Sequence, residues 1–121
     1  MILVDTSIWV SHLRSGNSKL EQLLNDGDVA CHPFIIGELA CGSIKNRRII
    51  LSLLSSLPMV EMIDNEELLL FIEKKNLMGK GLGLIDVYLL GASLLSEVSL
   101  WTLDTRLHHE ASILGIAYKY Q

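Results

Sequence analysis

Short apolar runs alternate with longer segments of mixed polarity along the chain, a pattern typical of strands and helices in turn. The runs are three to five residues long and are mostly bounded by polar residues, glycine or proline. They predict five strands, at residues 2–4, 29–31, 59–63, 99–103 and 116–120. The first run, Ile2-Leu3-Val4, is entirely apolar, as expected of a strand covered on both faces of a parallel sheet.

The segments between these runs show helical periodicity and end at glycine, proline or asparagine residues. They predict helices at residues 7–14, 18–26, 34–41, 45–57, 66–76, 84–96 and 105–114. Alternation of strands and helices predicts an α/β fold, a three-layer α/β/α sandwich with a parallel sheet and right-handed crossovers. In such a fold, ligands bind where the strands end.

The composition is that of one domain, residues 1–121, with enough apolar residues (50%) for a buried core. The formal net charge is −4, so contact with a nucleic acid would need local basic patches or metal ions. Cys31 and Cys41 have no CxxC spacing and are expected to be buried thiols of a cytoplasmic protein. No apolar stretch approaches the roughly 20 residues that span a bilayer.

Four carboxylates occupy unusual positions. Asp5 follows the first strand and Asp104 the fourth, so both are expected at the edge of the sheet where strands end. If these strands are neighbours, the two acids lie about 5 Å apart, the spacing of adjacent strands. Glu38 and Asp86 lie in helical segments whose neighbouring residues are almost all apolar. Burial of an unpaired carboxylate is unfavourable, so both require an explanation.

Each acid also has an ordinary structural explanation. Asp5 and Asp104 suit the N-caps of the helices that follow them. Asp86 in a first helical turn would interact favourably with the helix dipole. Glu38 has the pair Arg47-Arg48 a short distance along the chain as candidate ion-pair partners.

Considered together, the four acids favour a metal site. Like charges about 5 Å apart repel by roughly 3 kcal/mol at an effective dielectric constant of 20, so such a cluster needs a cation. Oxygen ligands without matching His or Cys favour Mg²⁺ or Mn²⁺ over zinc. Carboxylate-bound Mg²⁺ typically activates water and neutralises charge in phosphate chemistry. The candidate metal ligands and catalytic residues are Asp5, Glu38, Asp86 and Asp104.

The order and setting of these residues resemble the PIN domain. The matching positions are Asp5-Thr6-Ser7 after an apolar strand, Glu38 early in a helix, Asp86 within Gly83-Leu84-Ile85-Asp86-Val87-Tyr88, and Thr102-Leu103-Asp104 after the fourth strand. Within that family, the chain is most similar to the VapC-type toxin ribonucleases of toxin–antitoxin pairs, which have about its length.

The resemblance implies a metal-dependent endoribonuclease that hydrolyses RNA phosphodiester bonds with a metal-activated water. It implies a five-stranded sheet of order 3-2-1-4-5, with the four acids around one or two Mg²⁺ or Mn²⁺ ions. The hydroxyls of Thr6 or Ser7 and of Thr102 would orient these acids from outside the metal's ligand shell. It also implies an RNA substrate, a small antitoxin partner and a homodimer.

A signalling receiver domain is the alternative, since it is also a five-stranded α/β unit with an acidic Mg²⁺ pocket. Asp64, near the end of the third predicted strand, would be its phosphoacceptor. Receiver domains have two adjacent acids after the first strand, where this chain has Asp5-Thr6, and they leave Glu38 and Asp86 unexplained. A metal-free binding module is a weaker third interpretation.

Several basic side chains have two interpretations: they contact the phosphates of an RNA backbone, or they belong to an ordinary solvated surface. They are Arg14, Lys45, Arg47, Arg48, Lys80 and Arg106. The glycine-rich segment 79–83 lacks the GKS/T ending of a P-loop and is expected to be a flexible approach to the helix of Asp86. His12, His108 and His109 are expected to have surface or packing roles.

Overall fold

The computed structural model describes residues 1–119, which form an α/β fold with a small parallel sheet and seven α-helices. The elements in chain order are β1 (Ile2–Val4), α1 (Thr6–Ser15), α2 (Ser18–Asn25), β2 (Val29–Ala30), α3 (Pro33–Cys41), α4 (Arg47–Ser55), α5 (Asn65–Lys74), α6 (Leu84–Ser96), β3 (Ser99–Trp101) and α7 (Thr105–Ile113). The α/β class and the parallel sheet are therefore confirmed.

The central strand of the sheet is β1, in the order β2-β1-β3, and both pairings are parallel. Ile2 is opposite Val29 on one side and Ser99 on the other, and Val4 is opposite Trp101. The first and fourth predicted strands are thus neighbours, as expected. Their carboxyl ends meet at one edge, which is where Asp5 lies.

The prediction of five strands is wrong, because residues 1–119 form three strands and two isolated bridges. Met59 forms a single parallel bridge with Cys31, and Ala117 forms one with Leu100. The third and fifth predicted runs therefore lie beside β2 and β3, where the order 3-2-1-4-5 puts them, without forming strands. Tyr120, at the end of the fifth predicted run, lies outside the described residues.

Local chemistry explains why two of these runs stop early. The amide of Val60 donates to the Cys31 carbonyl (2.9 Å), but the next bond of this ladder would need an amide hydrogen on Pro33, which has none and begins α3. At the end of β3, the Leu103 amide donates to Ser7 Oγ (3.0 Å), so the strand ends at Trp101 rather than at Leu103. A backbone amide that is already satisfied gains nothing from a further strand partner.

The core surrounds β1, whose three residues are all buried, and the apolar face of α6 packs into it. Cys31 is buried, as predicted, but Cys41 is exposed because α3 ends there and the chain turns into solvent at Gly42. Within residues 1–119 no helix has the length and apolar content to cross a membrane; α6, the longest, has 13 residues.

Candidate active site

Asp5 is a buried carboxylate, 7% exposed, at the end of the central strand. Its backbone amide donates to the Trp101 carbonyl (2.9 Å), which fixes it to β3. Although Asp5 precedes α1 in the N-cap position, its side chain makes no capping hydrogen bond. Its Oδ2 instead accepts hydrogen bonds from Ser7 Oγ (2.9 Å) and Thr102 Oγ1 (2.7 Å). The capping explanation of Asp5 is therefore wrong, and its carboxylate is positioned by hydroxyls.

The two hydroxyls that bind Asp5 also hold the segment that follows β3. Ser7 Oγ accepts a hydrogen bond from the Leu103 amide (3.0 Å), and Thr102 Oγ1 accepts one from the Asp104 amide (3.0 Å). The two hydroxyl oxygens are 3.4 Å apart. Since Val4 is opposite Trp101, the residue that follows across from Asp5 is Thr102, and Asp104 lies two residues further along. The residue at the spacing of adjacent strands, about 5 Å, from Asp5 is therefore Thr102 and not Asp104 as expected.

Glu38 lies on α3 and is partly buried. Its Oε1 accepts a hydrogen bond from Thr6 Oγ1 (2.7 Å), the first residue of α1. The predicted ion-pair partner Arg47 instead donates to the Gly42 carbonyl (3.4 Å) at the end of α3. A hydroxyl from the helix after β1, rather than a guanidinium, therefore orients this carboxylate.

Asp86 and Asp104 do have the helix-terminal roles expected of them. Asp86 Oδ2 accepts from the Gly83 amide (3.0 Å) at the start of α6, and Asp104 Oδ1 accepts from the Leu107 amide (2.9 Å) as the N-cap of α7. Each bond uses one of the two carboxylate oxygens. Capping is therefore compatible with a second role for either acid.

The other three acids are close enough to Asp86 to act on its charge. Burial raises the pKa of Asp86 above its ordinary value of 3.8, the hydrogen bond from the Gly83 amide opposes that rise, and nearby negative charges add to it. Those charges belong to Asp5, Asp104 and Glu38. Acids from β1, α3, α6 and the segment after β3 thus converge at one edge of the sheet, where they create a negative potential.

The donor atoms at this edge fit a hard divalent cation. Among residues 1–119, no three acidic, histidine or cysteine side chains are already arranged to hold a metal ion. The groups present are carboxylates and hydroxyls, whose oxygens suit Mg²⁺ and Mn²⁺. Burial is the main cause of the raised pKa of Asp86, and the negative charges of the other three acids add to it; a bound cation would oppose both effects. A cation would have to draw these carboxylates closer together.

An aromatic contact joins the two helices that carry Glu38 and Asp86. The ring of Phe34, on α3, meets the ring of Tyr88, on α6, edge to face, with centroids 5.0 Å apart. Phe34 also packs on His32 (4.9 Å), which caps α3 by accepting the Phe34 amide at Nδ1 (2.9 Å). Both aromatic residues could be found in the sequence by their closeness to the acids, since Phe34 lies four residues before Glu38 and Tyr88 two residues after Asp86. That the two rings contact each other can be seen only in the folded structure.

Asp64, the phosphoacceptor of the receiver-domain alternative, has a structural role away from the four acids. It caps α5 in a capping box, where Asp64 Oδ1 accepts from the Glu67 amide (2.8 Å) and Glu67 Oε1 accepts from the Asp64 amide (3.0 Å). Both interactions are exposed. The sequence pattern at Asp64 is therefore explained by helix capping.

Comparisons with known proteins agree with this geometry. The PIN domain family matches residues 2–112, a range that contains all four acids. Ribonuclease VapC32 from each of two strains of Mycobacterium tuberculosis is 43% identical over 118 residues, 97% of this chain and 95% of the relative. The crystal structure of PAE2754 from Pyrobaculum aerophilum shares the fold, with a TM-score of 0.62 and 19% identity over 90% of this chain and 78% of that one. The chain therefore belongs to the PIN domain family, as a VapC-type member.

Proposed function

We propose that the chain is a metal-dependent endoribonuclease and the toxin of a toxin–antitoxin pair. The observation that carries the proposal is the convergence of four acids at the carboxyl edge of the sheet, where three of them raise the pKa of the fourth, Asp86. The relatives from Mycobacterium tuberculosis are named ribonucleases, and the similarity extends over almost the whole of both chains. These findings favour a nuclease over the receiver-domain alternative.

In this proposal, one or two Mg²⁺ or Mn²⁺ ions are held by the candidate ligands Asp5, Glu38, Asp86 and Asp104. A metal held there would supply the chemistry of an activated water and of charge neutralisation on the phosphodiester. Without a cation, four carboxylates repel the RNA backbone, so the same acids that bind metal also make substrate binding depend on it.

The hydroxyl residues act as positioning groups. Ser7 and Thr102 donate to the same oxygen of Asp5, which fixes the plane of its carboxylate. Thr6 does the same for Glu38 from the first turn of α1. Each hydroxyl donates to a carboxylate oxygen and so restricts the orientation of a candidate metal ligand.

The partners belong to the same proposal. The substrate is RNA, and a small antitoxin protein would restrain the activity. We also propose that the chain forms a homodimer and is located in the cytoplasm, as expected from the sequence analysis.

The test is RNA cleavage by the purified chain. We expect cleavage in Mg²⁺ or Mn²⁺, loss of cleavage in EDTA, and recovery when the metal is restored. Asp5→Asn should reduce cleavage on the order of 100-fold or more, with a melting temperature equal to or above that of the wild type, because it removes one of several repelling charges. Asp26→Asn, at an exposed acid on the end of α2, is the matched control.

Two results would refute the proposal. One is cleavage that EDTA leaves unchanged. The other is full activity of Asp5→Asn, because a carboxylate that can be replaced by an amide is not a metal ligand of the reaction. A large loss of stability in Asp5→Asn would instead assign this residue a structural role.

A further inference from the structure

A cleft with a volume of ≈ 300 Å³ lies between α7 and the glycine-rich segment 79–83. Its lining residues are Lys80, Thr105, Arg106, His109, Glu110 and Ile113. Two of its lining residues belong to segments that carry acids of the site: Thr105 directly follows Asp104, and Lys80 lies three residues before the Gly83 amide that binds Asp86. Its volume is at the lower end of the range of small-molecule sites, about 300–1,000 Å³, which suits a single nucleobase.

Glu110 is a buried carboxylate in the wall of this cleft. It is 7% exposed, yet within residues 1–119 no side chain or amide donates a hydrogen bond to its carboxylate or forms an ion pair with it. The rest of the side chain is packed into the core, so the carboxylate can take hydrogen bonds only from what enters the cleft. A ligand that brings N–H donors into the cleft would therefore satisfy Glu110.

The rim of the cleft is cationic. Arg106 lies one helical turn before Glu110, at the spacing that favours an ion pair, but its guanidinium packs on the glycine-rich segment instead. A Cβ added to Gly81 would lie 2.7 Å from Arg106 Nη1, so the guanidinium lies directly against this glycine, and the φ of +76° favours glycine there. Lys80 adds a second positive charge, and His109 lines the cleft beside them. Positive groups at the entrance favour an anionic ligand over a cationic peptide.

We propose that this cleft binds a guanine base of the RNA, in a nucleotide next to the cleaved bond. Glu110 accepts hydrogen bonds from guanine N1 and N2, while Lys80 and Arg106 contact the neighbouring phosphate. The inference rests on the proposed function for the identity of the polymer. It adds a site that selects the cleaved sequence.

The match between a carboxylate and guanine is chemical. Guanine presents two adjacent N–H donors on its Watson–Crick edge, which a carboxylate accepts with both oxygens. Adenine and cytosine present one amino donor beside a ring acceptor, and uracil presents one imino donor between two carbonyls. These acceptors would face the negative charge of Glu110, so the other bases bind less well. Such reading of base edges is how proteins recognise unpaired RNA.

The test is a titration of the isotope-labelled chain with nucleoside 5′-monophosphates, followed by amide chemical shifts in EDTA. We expect GMP to bind about tenfold more tightly than AMP, CMP or UMP, since it makes two charge-assisted hydrogen bonds. IMP, which lacks the N2 amino group, should lose most of that advantage. The shifts should centre on residues 79–83 and on α7.

Variants separate the two halves of the site. Glu110→Gln should reduce the affinity for GMP about tenfold, to the level of AMP, because an amide cannot accept with both atoms. Arg106→Ala should weaken all nucleotides alike and leave the preference for guanine unchanged. Glu73→Gln, at an exposed acid on α5, is the matched control and should bind GMP as the wild type does.

Equal affinities of the wild type for GMP, IMP and AMP would overturn the proposal, as would a preference for guanine that survives in Glu110→Gln. Free arginine that shifts the Glu110 region, when no nucleotide does, would also overturn it and assign the cleft to a protein partner. The comparison of GMP with IMP needs no variant, so misfolding of Glu110→Gln would not affect the result. Since binding is measured without metal, a guanine preference in a chain that cleaves no RNA would refute the proposed function alone.

Discussion

Replacing Thr102 with valine removes one hydroxyl from the middle of the site and little else. Thr102 is buried (6% exposed), and valine has nearly its volume. The change deletes the 2.7 Å hydrogen bond to Asp5, worth about 1.5–3 kcal/mol because its acceptor is charged, and the 3.0 Å bond from the Asp104 amide, worth about 1 kcal/mol. We expect the free energy of unfolding to fall by about 3 kcal/mol, which lowers the melting temperature by roughly 10 °C in a domain of this size.

Urea unfolding and RNA cleavage together measure this effect, with Thr102→Ser as the matched control. Serine keeps the hydroxyl, so we expect it to retain most of the stability and activity. Valine should lower cleavage about 10–100-fold, the usual effect of removing a group that orients a metal ligand. If Thr102→Val proves as stable as Thr102→Ser, the hydroxyl does not support the buried Asp5 carboxylate, and the reasoning fails.

Two further outcomes concern charge. Asp86→Asn should raise the melting temperature in EDTA, because burial and the neighbouring acids raise the pKa of Asp86 and so make its charged form unfavourable at neutral pH; a fall measured by scanning calorimetry would contradict this. Burial lowers the pKa of His32 below 6.5, so its contribution to stability is fully present above about pH 6.5 and is lost as the pH falls through the folded-state pKa. Urea unfolding at about pH 7.5 and about pH 5.5 measures that loss, and His32→Asn, which keeps a capping acceptor, should lose less stability on acidification than the wild type. An equal loss in both proteins would refute the assignment to His32.

The sequence was most informative where local chemistry decides the structure. Ile2-Leu3-Val4 has no polar position and becomes the central strand, buried throughout. Pro33 after His32 predicts a helix start, and α3 begins there with Pro33 at its first position. The apolar segment 84–96 has the bounds of α6. In each case the signal and the structure depend on the same few residues.

The sequence was least informative where a distant hydroxyl replaces a backbone partner. Ser7 binds the Leu103 amide across 96 residues, and so the fourth predicted strand ends at Trp101. Thr6 binds Glu38 across 32 residues, a pairing that the sequence does not indicate, because neither residue is unusual in its own segment. Serine and threonine hydroxyls satisfy an amide or a carboxylate equally well, so their partner depends on the fold.

The contact between Phe34 and Tyr88 affects the geometry of the acidic site without contributing to its charge. The two rings fix the spacing of α3 and α6 at a point that carries no charge. A smaller side chain at either position would let the helices approach and change the distance between Glu38 and Asp86, with every carboxylate and hydroxyl still present. Related chains can therefore differ in the geometry that they offer a cation while keeping an identical set of polar residues.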